Sequence, residues 1–123
     1  SEEEIQKEIE ECEAMIYQLC GVSTHVFRPP EGMMNECLKK VTLAKGYRLI
    51  LWSIDTRDWA MTPAGEILTT VKNQVRGGDI ILMHDYVSGG NTTCDALRLI
   101  IPMLLSRGYE FVTVSELIQG DHE

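Results

Sequence analysis

Three short polar clusters, each following an apolar run, hold the side chains of this sequence that are best suited to chemistry. They are residues 28–32 (Arg-Pro-Pro-Glu-Gly), residues 55–59 (Asp-Thr-Arg-Asp-Trp) and the pair His84-Asp85. Imidazole titrates near neutrality, so His84 could act as a general acid or base or as a metal ligand. Reactive groups of parallel α/β proteins collect at the carboxyl ends of strands. The assignment of function therefore depends on whether these three clusters meet in one site.

Each cluster also has a purely structural interpretation. His84 could satisfy the end of a strand, and Asp55 and Asp58, three residues apart, could cap a turn instead of serving catalysis. Arg28 could form an ion pair or clamp a substrate. Trp59 beside acidic groups is typical of a sugar-binding wall, although tryptophan more often packs in a core. The spacing alone leaves these alternatives open.

Four helical patterns alternate with four strand patterns along the chain. The predicted helices cover 1–20, 35–44, 62–77 and 91–108, and the third of them is expected to have Thr62 as its N-cap and Pro63 as its first helical residue. The predicted strands cover 25–27, 47–54, 80–83 and 110–114. A last helical turn is expected from Ser115. Pro102 should kink or break the fourth helix. The continuous apolar runs 49–52 and 80–83 are typical of fully buried strands. This alternation predicts an α/β fold with a parallel sheet.

The first helix has the clearest signals. Ser1 and Glu4 form a capping-box pattern, and an apolar stripe follows at Ile5, Ile9, Cys12, Ile16 and Leu19. On this stripe we interpret Cys12 and Cys20 as small buried residues, with disulfides possible but not indicated. The four cysteines have no zinc-finger spacing, and neither His25 nor His122 in the acidic tail forms a ligand pair with His84.

Composition and net charge indicate which class of protein this chain belongs to. The 123 residues suffice for one domain, with 44% apolar and 24% charged residues, as in globular proteins. The net charge of -8 argues against a nucleic-acid partner. No apolar run approaches the ~20 residues of a membrane span. The acidic start is unlike a signal peptide, and Ser1 is interpreted as a cut end.

Taken in order, the clusters resemble three motifs of the polysaccharide deacetylase family with the NodB homology domain, carbohydrate esterase family 4. The matching residues are Arg28, Pro30 and Gly32 in the first motif, Asp55, Asp58 and Trp59 in the second, and Leu82 and His84 in the third. The resemblance runs from the first helix to Val114. It implies that residues 1–123 are the C-terminal part of a distorted parallel (β/α) barrel of the NodB type.

The resemblance also implies roles for individual residues. His84 resembles the acid that protonates the leaving amine, and Asp58 resembles the carboxylate that orients this histidine. Arg28 resembles the partner of the catalytic base. The backbone N–H of Glu31 resembles an oxyanion donor, and Trp59 resembles a wall of the sugar groove.

The remaining substrate-binding assignments are Pro30, Gly32 and Leu82, the last as a second wall of the groove. Glu31 departs from the family, which usually has an aromatic residue at this position. Two further family motifs are absent: one supplies the base and a metal-binding Asp, and the other is His-x-x-x-His. Both are expected before Ser1, together with the N-terminal strands. We therefore expect no metal ligand within this chain.

The implied function is hydrolytic deacetylation of N-acetylglucosamine in peptidoglycan or a chitin-like polymer by an extracellular or cell-surface enzyme. The intact enzyme would use a divalent metal, with zinc preferred, and this chain alone would be inactive. Its partners would be the polysaccharide and either the N-terminal segment or a second copy that completes the barrel. Two alternatives stay open: a non-catalytic carbohydrate-binding or assembly module, and a hydrolase with its own nucleophile, for which no Ser or Cys motif is found.

Overall fold

The computed structural model describes residues 1–120; His122 and its neighbours in the acidic tail lie outside the described residues. The chain divides after Leu51 into two compact units. This division falls inside the run 47–54, for which the sequence predicts one strand. No helix within residues 1–120 has both the length and the apolar character needed to cross a bilayer.

The first unit contains two helices and a pair of very short parallel strands. Its elements are α1 (Glu2–Cys20), β1 (Val26–Phe27), a 3-10 turn (Pro30–Gly32), α2 (Glu36–Ala44) and β2 (Arg48–Leu49). Val26 lies opposite Arg48, and Phe27 lies opposite Leu49. The predicted capping box of Ser1 starts α1, and the Asn35 side chain caps α2.

The core of the first unit forms where α2 packs on α1. Ile9, Val41 and Tyr47 are buried together there. Cys12 and Cys20 are exposed and unbonded, so the prediction that they are buried is wrong. Since the packed face of α1 is centred on Ile9, the far end of the stripe is left outside, and Leu19 is exposed as well.

The second unit alternates strands and helices up to its last helix. Its elements are β3 (Ile54–Asp55), a 3-10 turn (Asp58–Ala60), α3 (Ala64–Gln74), β4 (Ile81–Leu82), α4 (Thr92–Ser106) and α5 (Val114–Gln119). α5 follows α4 with no strand between them among the described residues. β3 and β4 are parallel, with Asp55 opposite Leu82. The core joins α3 to α4 through Ile67, Val71, Ala96, Ile100 and Leu104.

The predicted strand 47–54 is two strands, because its hydrogen-bond partner changes along the run. The N–H groups of Arg48 and Ile50 donate to carbonyls of residues 25 and 27. Those of Ser53 and Ile54 both donate to the carbonyl of Ile80, which breaks a regular ladder. The predictions of full burial are wrong too: Leu51 is 48% exposed, and residues 80–83 are half-buried.

The predicted strand 110–114 is not formed among the described residues. Thr113 instead starts α5, with its hydroxyl accepting from the N–H of Glu116 in a second capping box. The start of α3 also differs from prediction: Pro63 is its N-cap, and the Thr62 hydroxyl donates to the carbonyl of Arg57. α4 continues without a break past Pro102.

Candidate active site

The side chains of Asp58 and His84 form a hydrogen-bonded pair beyond the ends of β3 and β4. Oδ1 of Asp58 lies 2.7 Å from Nδ1 of His84, although the residues are 26 positions apart. The Asp58 side chain is fully buried, whereas that of His84 is 40% exposed. Because Nδ1 is engaged by the carboxylate, Nε2 is the ring nitrogen left for a further group. This arrangement is typical of an oriented acid–base histidine.

Asp58 satisfies its buried charge with three donors. Besides Nδ1 of His84, its Oδ2 accepts from the His84 backbone N–H at 2.6 Å and from the Thr93 hydroxyl at 2.7 Å. Burial by itself raises the pKa of Asp58, but the hydrogen bonds from His84 and Thr93 outweigh it, and the net pKa lies below the ordinary value. Asp58 is therefore a carboxylate at neutral pH.

The turn that carries Asp58 is held in a strained backbone conformation. Arg57 and Met61, which flank the 3-10 turn, have φ of 52° and 58°. Such left-handed values are unfavourable for these residue types and are found preferentially at functional sites. Oδ1 of Asp55 accepts from the N–H of Arg57, so this first carboxylate does cap the turn. The two aspartates of the cluster thus have different roles.

Trp59 and Leu82 flank this pair in different ways. Trp59 is 54% exposed, and the guanidinium of Arg57 lies 5.0 Å from the centre of its ring, a cation–π contact. Leu82 is half-buried in β4, and its carbonyl accepts from the hydroxyl of Thr56. An exposed, braced aromatic ring is consistent with the predicted sugar-binding wall.

A pocket opens beside His84. The loop 85–91 and the first turn of α4 line it, with Tyr86, Asn91 and Thr93 among the lining residues. In this loop Gly89 lies next to the Met61 side chain, so close that a Cβ on residue 89 would come within 3.1 Å of it. Sequence reasoning identified neither this pocket nor the contribution of Thr93, because no local pattern links residue 93 to residue 58.

The Arg28 cluster belongs to the first unit. Arg28 is exposed, and one of its guanidinium nitrogens donates to the carbonyl of Leu51 at 3.4 Å. Glu31 has φ of 56° in the following turn, whose closing hydrogen bonds come from the N–H groups of Gly32 and Met33. Neither bond uses the Glu31 N–H. The roles predicted for Arg28, Pro30, Glu31 and Gly32 stay predictions.

Comparisons with known proteins support the resemblance noted in the sequence. The model of the family described as polysaccharide deacetylase matches residues 1–50. A peptidoglycan-N-acetylglucosamine deacetylase of Bacillus cereus is 41% identical over 99 residues, which cover 79% of this chain and 46% of that protein. These matches support a polysaccharide deacetylase domain of the NodB type.

Solved structures of polysaccharide deacetylase relatives confirm the α/β fold class, that of a NodB-type distorted (β/α) barrel. A family 4 acetyl xylan esterase of Clostridium thermocellum, bound to a cobalt ion, matches with a TM-score of 0.88 at 36% identity over 97% of this chain and 57% of its own. A family pseudoenzyme of Bacillus anthracis matches with a TM-score of 0.85 at 28% identity over 95% of this chain and 40% of its own. The chain thus spans about half the length of such relatives.

The polysaccharide deacetylase family is generally metal-dependent, and the esterase of Clostridium thermocellum is bound to a cobalt ion. Among residues 1–120, no group of three or more His, Cys, Asp or Glu side chains is placed to hold an ion. The described residues by themselves therefore do not fit a metal site.

Proposed function

We propose that this chain is part of an enzyme that hydrolyses the acetamide of N-acetylglucosamine in peptidoglycan. The observation that carries the proposal is the His84–Asp58 pair, with a buried carboxylate on Nδ1 and an accessible imidazole edge. The named activity of the Bacillus cereus relative supplies the substrate class.

In the proposed reaction, water adds to the acetyl carbonyl and the bond from carbon to nitrogen breaks, giving acetate and a free amine. Protonated His84 donates the proton that the leaving nitrogen needs, from Nε2. Asp58 holds the ring and stabilises its charged form through Nδ1. A divalent metal, with zinc preferred, would be held by residues outside this chain and would supply, together with a base, the activation of water.

The remaining site residues are proposed as binding groups. Trp59, braced by Arg57, would stack on a sugar ring, and Leu82 would line the groove for the acetyl group. Arg28 would pair with the base, and the Glu31 N–H would stabilise the oxyanion, with Pro30 and Gly32 shaping that turn.

We place this activity at the cell surface, because peptidoglycan is a cell-wall polymer. A chitin-like polymer is the second substrate class and would present the same acetamide to His84. Since the chain spans about half of its relatives, we also propose that a further segment of the same protein, or a second copy, completes the barrel.

A non-catalytic carbohydrate-binding or assembly module is the second candidate function. It is favoured by one specific observation, the likeness to a family pseudoenzyme of Bacillus anthracis. The residues that precede Ser1 in the full-length protein discriminate between the two. A His-x-x-x-His sequence there supports the enzyme, whereas its absence supports the binding module.

Release of acetate tests the proposal directly. The full-length protein, incubated with purified peptidoglycan and a divalent metal, is expected to release acetate and to create free amines on glucosamine. The measurement is enzymatic quantification of acetate, with fluorescamine labelling of the amines. Binding to peptidoglycan in a pull-down assay without any acetate release would overturn the enzymatic proposal and support the binding module.

Residues 1–123 alone are expected to associate or to unfold without cooperativity. Each short strand pairs with one neighbour, and Leu49, Leu51, Ile81 and Leu82 are at most half-buried. Unpaired strand edges and exposed apolar side chains favour association. Size-exclusion chromatography with light scattering measures this, and a stable, cooperatively unfolding monomer of 13.9 kDa would refute the need for a partner.

A further inference from the structure

Thr93, in the first turn of α4, directs its hydroxyl at the buried carboxylate of the site. Oγ1 of Thr93 lies 2.7 Å from Oδ2 of Asp58, and both side chains are buried, at 8% and 0% exposure. We propose that Thr93 is a positioning residue for the His84–Asp58 pair, acting through Asp58 and not on the substrate. This inference rests on the proposed function.

The hydrogen bonds of Asp58 show what Thr93 contributes. Oδ2 accepts from the Thr93 hydroxyl and from the His84 backbone N–H, and Oδ1 accepts from Nδ1 of His84. Two donors on Oδ2 fix the rotation of the carboxylate, so that Oδ1 faces the imidazole. Thr93 is the donor that comes from a separate element, α4. Without its hydroxyl, the buried Oδ2 of Asp58 would keep only the bond from the His84 N–H.

Thr93 also anchors the loop that lines the pocket. His84 precedes the loop 85–91 and Thr93 follows it, and both donate to the same carboxylate. Asp58 therefore holds both ends of this loop. The other buried threonine hydroxyl in a helix behaves differently: that of Thr42 donates to the carbonyl of Leu38, four residues earlier in its own helix, which is the usual local bond.

The test compares Thr93→Val with Thr93→Ser in the full-length protein. Valine keeps the shape and removes the hydroxyl, so kcat for acetate release is expected to fall about tenfold with KM nearly unchanged, the effect of one hydrogen bond to a charged group. Serine keeps the hydroxyl and should retain most of the wild-type kcat. Thr42→Val is the matched control, a buried threonine far from Asp58 in sequence, and should leave kcat unchanged.

A second readout is independent of activity: the NMR resonance of the proton shared between Nδ1 of His84 and Asp58. It should change its chemical shift in Thr93→Val and stay in place in Thr93→Ser and Thr42→Val. A folded Thr93→Val protein with wild-type kcat and an unshifted resonance would overturn the inference. The inference would also be overturned by a Thr93→Ser variant whose kcat falls as far as that of Thr93→Val. The methyl group, and not the hydroxyl, would then be the essential part of Thr93.

Two further outcomes are decided by the same resonance. If Thr93→Val does not fold, Thr93→Ala replaces it, since it removes the hydroxyl without placing a methyl against the carboxylate; an unshifted resonance in that variant overturns the inference. If the wild-type protein releases no acetate, the proposed function fails on its own, and the resonance still decides whether Thr93 positions the pair.

Discussion

His84→Ala is expected to lower kcat for acetate release by about 10²–10⁴-fold in the full-length protein, the usual contribution of a general acid. The leaving nitrogen would then have no positioned proton donor, whereas Trp59, the residue proposed to stack on the sugar, is unchanged. KM should therefore change little. The measurement is steady-state kinetics of acetate release from a peptidoglycan fragment.

Metal analysis of the His84→Ala protein distinguishes a role of His84 as a general acid from a role as a metal ligand. Elemental analysis should find the wild-type metal content, because His84 is assigned no ligand role; loss of the metal would show that it is a ligand and contradict this assignment. His25→Ala is the matched control. His25 is an exposed histidine in the first unit, and its replacement should leave both kcat and metal content unchanged.

Asp58→Asn should have the second largest effect, because it damages both stability and activity. The amide is the same size as the carboxylate but has one acceptor oxygen, while three donors converge on Asp58. The NH₂ group would face either a second donor or Nδ1 of His84, and in the latter case the imidazole would have to change tautomer so that Nδ1 accepts. Either way the charge-assisted bonds of a fully buried group are lost, at a cost of about 1–3 kcal/mol in the free energy of unfolding. The neutral amide would also fail to stabilise the proton on Nδ1 of His84, and kcat should fall about a thousandfold or more.

The stability effect of Asp58 has a defined pH dependence. Its pKa is lower in the folded state than in the unfolded state, so the stabilisation is present above the ordinary carboxyl pKa and is lost as the pH falls through the lower folded value. Urea unfolding of the wild-type protein between about pH 7 and pH 3 should show that loss below about pH 4, whereas Asp58→Asn should lack this contribution.

Asp55→Asn is the matched control for both effects of Asp58→Asn. Asp55 is exposed and accepts from the N–H of Arg57, which an asparagine oxygen can also do. This variant should keep kcat and stability near the wild-type values. Equal loss in the Asp55 and Asp58 variants would contradict the separate roles assigned to the two carboxylates.

Features that depend on a few neighbouring residues were predictable from the sequence. The capping box of Ser1 and Glu4 starts α1, and Asn35 caps α2, because both bonds close within three residues. The motif residues Asp58 and His84 were likewise identified in the sequence, each just beyond a strand. The α/β alternation followed from helical and strand periodicities that are local properties as well.

Features that depend on distant partners were decided only by the tertiary structure. The carbonyl of Ile80 divides the predicted strand 47–54, and packing centred on Ile9 leaves Cys12 exposed, although each segment has the right local pattern. Thr93 lies 35 residues from Asp58, and nothing in its neighbourhood marks it as a donor to that carboxylate. A buried charge takes its hydrogen bonds from whatever groups the fold brings near, and sequence spacing does not encode those distances.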